Sequence, residues 1–123
     1  MRIFKTRAVA RFAKSQRIAD ASLLEAVERA GRGLIDADLG GGLIKQRVAR
    51  AGQGRSGGFR MIIGVKLRDR AVFLFGFAKS DLDTIGAKQL ASLRDTAVIW
   101  LEADDITLQQ AMAREILFEV MQV

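Results

Sequence analysis

Two apolar runs, Phe59–Leu67 and Ala71–Ala78, stand on either side of the short stretch Arg68-Asp69-Arg70. A strand with one face in water alternates apolar and polar residues, whereas runs this continuous must be covered, at least in part, on both faces. They predict a β-hairpin deep in a sheet. Half of the residues in the 123-residue chain are apolar and 28% are charged, enough to build one core around that hairpin and too apolar for a disordered chain. With no proline, no low-complexity tract and no repeat to divide it, residues 1–123 read as one domain.

The segments on either side of the hairpin keep a helical period. Arg2–Lys5 predicts a short strand and Thr6–Gln16 a helix, with Val9, Phe12 and Ala13 toward the core. A second helix is expected from about Asp20. Ser22 and Glu25 fit a capping box, and Leu23, Val27, Ala30 and Leu34 fall on one face. Asp36–Gly42 holds a Gly-Gly-Gly turn, after which the period changes to 2. In Leu43–Arg50, Ile44 and Val48 share one face, while Lys45, Arg47 and Ala49 share the other. Ala51–Gly58 is a glycine-rich loop. After the hairpin, Asp81 or Asp83 is expected to cap a helix over about Thr84–Glu102, with Leu90, Leu93, Ala97, Trp100 and Leu101 as its stripe. Asp104 or Asp105 then caps a last short helix, and Ile116–Val120 reads equally as its continuation or as an edge strand. The sum is an α/β (α+β) fold: two N-terminal helices, a small, mainly antiparallel sheet, and C-terminal helices.

Composition removes whole classes of chemistry. There is no cysteine and no histidine, so neither a disulfide framework nor histidine acid–base catalysis is possible, and the two strongest zinc ligands are missing. No metal and no cofactor is expected. No apolar run is long enough to span a bilayer, and Met1–Arg7 lacks the apolar region of a secretory signal, so a cytoplasmic protein with no membrane partner is expected. The net charge of +6 is unevenly spread: residues 1–19 carry six Lys/Arg and no acid, and residues 40–79 carry nine Lys/Arg against Asp69 alone. Residues 20–39 and 80–123 are net acidic. A basic middle between acidic segments makes a directed positive field, suited to a polyanion.

Three stretches can carry that recognition. Lys45 and Arg47 are neighbours on one strand face, about 7 Å apart, and ask for solvent or an anion between them. Arg50–Arg60 is rich in glycine and arginine, but it lacks the Gly-Lys-Ser/Thr spacing of a P-loop and is followed by a strand. It reads as a hairpin loop whose Arg50 and Arg55 reach a phosphate backbone. Phe77 and Lys79 share a face at the end of the second apolar run, an aromatic beside a cation as base stacking requires, although an aromatic there more often fills a core. Alternation turns Arg60 away from Phe59, onto the face of Lys45 and Arg47, where an exposed arginine is expected. A lysine flanked by arginines has its charged form disfavoured by like-charge repulsion, which makes Lys45 a candidate general base. Arg47 and Arg60 would stabilise a phosphorane. Asp81 is the competing base candidate, with helix capping as its other role.

The order basic strand, Arg50–Arg60 loop, apolar hairpin and Phe77-Ala78-Lys79-Ser80-Asp81 before a long helix resembles the RelE-type toxins of bacterial toxin–antitoxin pairs, with the small HigB-like branch nearest. Gly33–Gly40 and Met1–Thr6 are also similar to that family. The resemblance implies a compact fold with a concave sheet surface that takes mRNA, usually in the ribosomal A site. It further implies cleavage without a metal, the ribose 2′-OH attacking the adjacent phosphodiester. Lys45, Arg47, Arg60 and Lys79 take the places of the family's basic site residues. The tyrosine or histidine that better-known members use for acid–base steps has no counterpart here. The implied partners are mRNA, the ribosome and a cognate antitoxin of helix-turn-helix type. A toxin that inhibits a target such as gyrase by binding alone, and a simple RNA-binding module, are the other open readings.

Overall fold

The computed structural model describes residues 1–49, 58–78 and 85–122. Its elements in chain order are β1 (Arg2–Thr6), α1 (Arg7–Gln16), α2 (Asp20–Gly31), β2 (Ala37–Gly40), β3 (Leu43–Val48), β4 (Phe59–Lys66), β5 (Arg70–Ala78), α3 (Ala87–Glu102), α4 (Asp105–Ala113) and β6 (Leu117–Glu119). The result is a mixed α+β fold. The strands form one sheet in the order β2-β3-β4-β5-β1-β6, antiparallel at every junction except β1–β5, which is parallel.

Both faces of the central hairpin are covered, as its apolar runs require. On one face Val9 and Ala13 of α1 and Leu23, Ala26 and Val27 of α2 pack with Ile44, Met61, Ile63 and Phe73. On the other, Ala97 and Leu101 of α3 and Leu108 and Ala111 of α4 pack with Phe4, Leu43, Ile62 and Val72. A β-bulge in β5 shifts the register between Ile62↔Phe75 and Ile63↔Phe73. Two β5 residues then oppose one of β4, and Leu74, Phe75 and Phe77 all belong to the α3–α4 side.

Several local expectations are corrected. The capping box of Ser22 and Glu25 does not form: α2 starts at Asp20 behind Ala19, which makes no side-chain cap. Asp20 is held there by Lys5 Nζ at 2.8 Å and by the Met121 N–H at 3.2 Å, and a carboxylate suits the first turn of a helix. Ser22 is thereby carried inside the helix. Leu34 leaves the helical stripe because Gly33, at φ +79°, turns the chain after Gly31, and Leu34 is 57% exposed. Residues 37–40, expected as part of a turn, form strand β2, and the turn itself is Gly41-Gly42. α3 starts behind Gly86 rather than near Thr84. Asp81 and Asp83 lie outside the described residues. Asp104 does cap α4, its carboxylate accepting from the Thr107 N–H at 2.8 Å, and Leu117–Glu119 is a strand at the sheet edge. No helix among the described residues is long and apolar enough to cross a membrane.

At that edge Arg2 Nε and Nη2 donate to the two Glu119 carboxylate oxygens, each at 3.0 Å. The hydrogen bond from Arg2 holds the Glu119 carboxyl below its usual value, against the opposing effect of burial. A carboxyl lowered in the folded state stabilises the fold above its unfolded pKa, and the contribution is lost as pH falls through the lower, folded value. Glu119→Gln is therefore expected to flatten the fall of the thermal midpoint below about pH 5 and to lower the midpoint slightly at neutral pH. A pH series of melting curves for both proteins checks this.

Candidate functional site

Strand pairing brings the expected cations together. Arg47 of β3 lies directly opposite Arg60 of β4, and Arg60 lies opposite Phe77 of β5. Opposed residues in an antiparallel pair share a face, with Cβ atoms about 5 Å apart, so Arg47, Arg60 and Phe77 form one row across three strands. Lys45 is on the same face two residues back, opposite Ile62. It is partly buried and makes no hydrogen bond or ion pair among the described residues. This is the face that α3 covers further along, where a Cβ at Gly64 would come within 2.9 Å of Ala97 Cβ. Arg94 of α3 fastens the helix to the β2–β3 turn, its Nη2 donating to the Leu39 carbonyl at 2.6 Å.

The opposite face of β3 holds the row in position. Gln46, between Lys45 and Arg47, is fully buried. Its Nε2 donates to the carbonyls of Ala26 and Leu34, both at 2.9 Å, while its Oε1 accepts from the Asp36 N–H at 3.1 Å. Arg29 of α2 is also buried; it pairs with Glu25 and donates from Nη2 to the Arg47 carbonyl. The backbone of Arg47 and the chain before β2 are thus tied to α2 by side chains from both elements.

Asp36 is the residue that sequence reasoning missed as part of the site. Its Oδ2 lies 3.4 Å from Arg47 Nε and 3.9 Å from Arg60 Nε. One carboxylate therefore spans the two guanidinium groups and fixes their relative position. The visible signal was an acid in Gly33–Gly40, the stretch similar to the family; nothing in its spacing pointed to Arg47 or Arg60.

Arg60 differs most from its expected state. It is 5% exposed, not solvent-facing, and Asp36 is its one ion-pair partner among the described residues. Its Nη1 is buried with no hydrogen-bond partner among them. The physical reason is the row itself: Phe77, partnered across the strands, is buried beside it and packs against Phe75 with ring centroids 6.0 Å apart. Phe77 is 4% exposed and does the packing work of a core aromatic, with no open ring face for a base. Arg47 keeps 45% of its side chain exposed and forms the outer end of the row. The remaining candidates, Arg50, Arg55, Lys79 and Asp81, lie outside the described residues.

Chemically, the row sets a deep and a shallow cation side by side, an arrangement suited to an anion. A buried donor without a partner costs about 1–3 kcal/mol relative to a satisfied one, and a phosphate oxygen reaching Nη1 would remove that cost. Among the described residues no group of three or more carboxylates could hold a metal ion.

A family model described as the RelE toxin of the RelE/RelB toxin–antitoxin system matches residues 1–120. The chain belongs to the RelE toxin family. No curated protein matches it. As a member of that family it is a toxin of a toxin–antitoxin pair, and its partner is a cognate antitoxin. The match covers β1 through β6, so the cationic row, its Asp36 bridge and both helical layers all lie within the RelE region.

Proposed function

We propose that this RelE-family chain is an mRNA endoribonuclease that works without a metal, through attack of a ribose 2′-OH on the adjacent phosphodiester. The observation that carries the reading is the buried Arg60 guanidinium, one nitrogen unpartnered among the described residues, directly across from the exposed Arg47. In the attack the 2′-oxygen bonds to phosphorus, its proton passes to a base, and the 5′-oxygen leaves with a proton. The products are a 2′,3′-cyclic phosphate, which can open to a 3′-phosphate, and a 5′-hydroxyl. Arg60 and Arg47 meet the extra negative charge of the phosphorane. Lys45, on the same face and without an ion pair or hydrogen bond among the described residues, takes the role of base, with Asp81 as the alternative. Asp36 and Gln46 are positioning residues. Lys79, Arg50 and Arg55 would add contacts to the RNA backbone, and the ribosomal A site is where mRNA would be presented. The two helices between β5 and β6 favour the HigB-like branch, whose antitoxins are of helix-turn-helix type. All of this chemistry belongs in the cytoplasm.

The charge in this reading comes from side chains, in a chain with no histidine or cysteine. Cleavage of mRNA is therefore expected to persist at full rate in excess EDTA and to leave 2′,3′-cyclic or 3′-phosphate ends. Induced expression followed by end mapping, with a chelator series on the purified protein and short RNA free of ribosomes, whose own assembly needs magnesium, checks both. Activity lost in EDTA and restored by magnesium would remove the side-chain mechanism. Growth arrest with intact transcripts would favour a toxin that acts by binding alone.

A further inference from the structure

The sheet-face site leaves one strongly basic feature unused. Residues 1–19 carry six basic side chains and no acid, and three of these have work inside the fold. Arg2 pairs with Glu119, Lys5 pairs with Asp20, and Arg7 donates to the carbonyls of Glu115 and Arg114. Arg11 and Lys14 are exposed and make no ion pair or hydrogen bond among the described residues. With 3.6 residues per turn, positions 7, 11 and 14 form one stripe on α1, opposite the buried Val9 and Ala13. The three cations border a shallow groove with Ala10, Phe118 and Glu115, its single carboxylate.

This stripe lies on the far side of the sheet from Arg60. Phe12 of α1 packs over Gly76, where a Cβ would come within 2.5 Å of its ring, and Gly76 opposes Met61, whose side chain belongs to the α1–α2 core. An RNA strand lying on the Arg47–Arg60 row does not also lie along α1.

We propose that the outward face of α1 is a second RNA site, which grips the phosphate backbone of a duplex segment distinct from the strand on the sheet face. Three features select this partner. The stripe has no exposed large apolar side chain on α1, whereas a protein partner needs buried aromatic or aliphatic anchors. It has no open aromatic platform, which single-strand binders use for stacking; Phe118 is partly buried. Its two unpaired cations, Arg11 and Lys14, lie within one helical turn, with Arg7 about one turn further back, and such a row suits the regular phosphates of an A-form duplex, which proteins read by shape and charge. The inference goes beyond the sheet-face reading and does not depend on cleavage.

The test is the full-length double variant Arg11→Gln/Lys14→Gln, with Lys45→Gln/Arg47→Gln as its counterpart. Each is titrated with a 16-base-pair RNA duplex and with a single-stranded RNA across a salt series. Each phosphate contact adds about 0.9 to the slope of log K against log salt for a B-form duplex. The α1 variant is expected to bind duplex roughly tenfold more weakly, with the slope reduced by about 2, and to bind single strand as the wild type does. The β3 variant should show the reverse, so a failure of the sheet-face reading appears in its own arm. Unchanged melting midpoints identify both variants as folded. An unchanged duplex slope in the α1 variant overturns the proposal. So does loss of the antitoxin complex with duplex binding intact, which would assign the face to a protein.

Discussion

Replacing Arg60 with methionine is expected to lower RNA cleavage by about 10²–10³-fold, the usual cost of losing one donor aimed at developing charge in a water-poor site. The same variant is expected to be at least as stable as the wild type. Among the described residues Arg60 is buried with one carboxylate, 3.9 Å away, and an Nη1 without a hydrogen-bond partner, so little there compensates its charge. Replacing a whole buried ion pair by apolar side chains is often neutral or stabilising by about 1–4 kcal/mol, and removing one partner is costly when it strands the other charge in the interior. Asp36 keeps the exposed Arg47 as a partner, at 3.4 Å. Steady-state cleavage assays and melting curves on the same preparations check the two halves. A methionine variant that melts well below the wild type would mean that Arg60 holds the fold together; one that still cleaves would move the site elsewhere.

Gly58→Ala is the second large effect, and it acts by geometry alone. A Cβ at Gly58 would come within 2.2 Å of the Val48 carbonyl oxygen and 3.3 Å of Ala49 Cα. Backbone atoms cannot move aside as a side-chain tip can. Val48 is fully buried and pairs with Phe59, so β3 and β4 must separate where Arg47 faces Arg60. Overpacking of this kind costs about 1–3 kcal/mol, occasionally more, and the thermal midpoint is expected to fall by roughly 10 °C, with cleavage falling further because the two arginines lose their opposition. Gly31→Ala is the control. Nothing lies within 4 Å of its Cβ position, and an alanine within α2 should raise stability by up to about 1 kcal/mol. Scanning calorimetry of the pair separates a steric effect at position 58 from a general sensitivity to glycine replacement.

The parts of this structure that were legible in the sequence are those written in periodicity. The period of 2 in Leu43–Val48 placed Lys45 and Arg47 on one face, and the continuous runs of β4 and β5 announced a sheet buried on both sides. Alternation also put Arg60 on the correct face. It says nothing about depth, however, and Arg60 is buried because Phe77 stands beside it in β5, a register that depends on the bulge opposite Ile62–Ile63. Asp36 was illegible for another reason. Its place is set by Gly33, which turns the chain, and by the Gln46 amide, which holds its N–H across the sheet edge. No local spacing records such a contact. The capping motif at Ser22 failed because a tertiary contact, Lys5 to Asp20, starts the helix earlier.

The position of β1 has a consequence for how such a toxin comes into being. The first strand of the chain is not at the border of the sheet; it sits between β5 and β6, pairing with residues 70–73 on one side and 117–119 on the other. During synthesis, residues 2–6 leave the ribosome well before either neighbour; they find no partner until residues 70–73 have emerged, and no second partner until residues 117–119 have. Contacts this distant in sequence are slow to form. The sheet on which Arg47 and Arg60 face each other is therefore completed only once residues 117–119 have been translated. A nascent chain still short of them carries the cations without the finished scaffold.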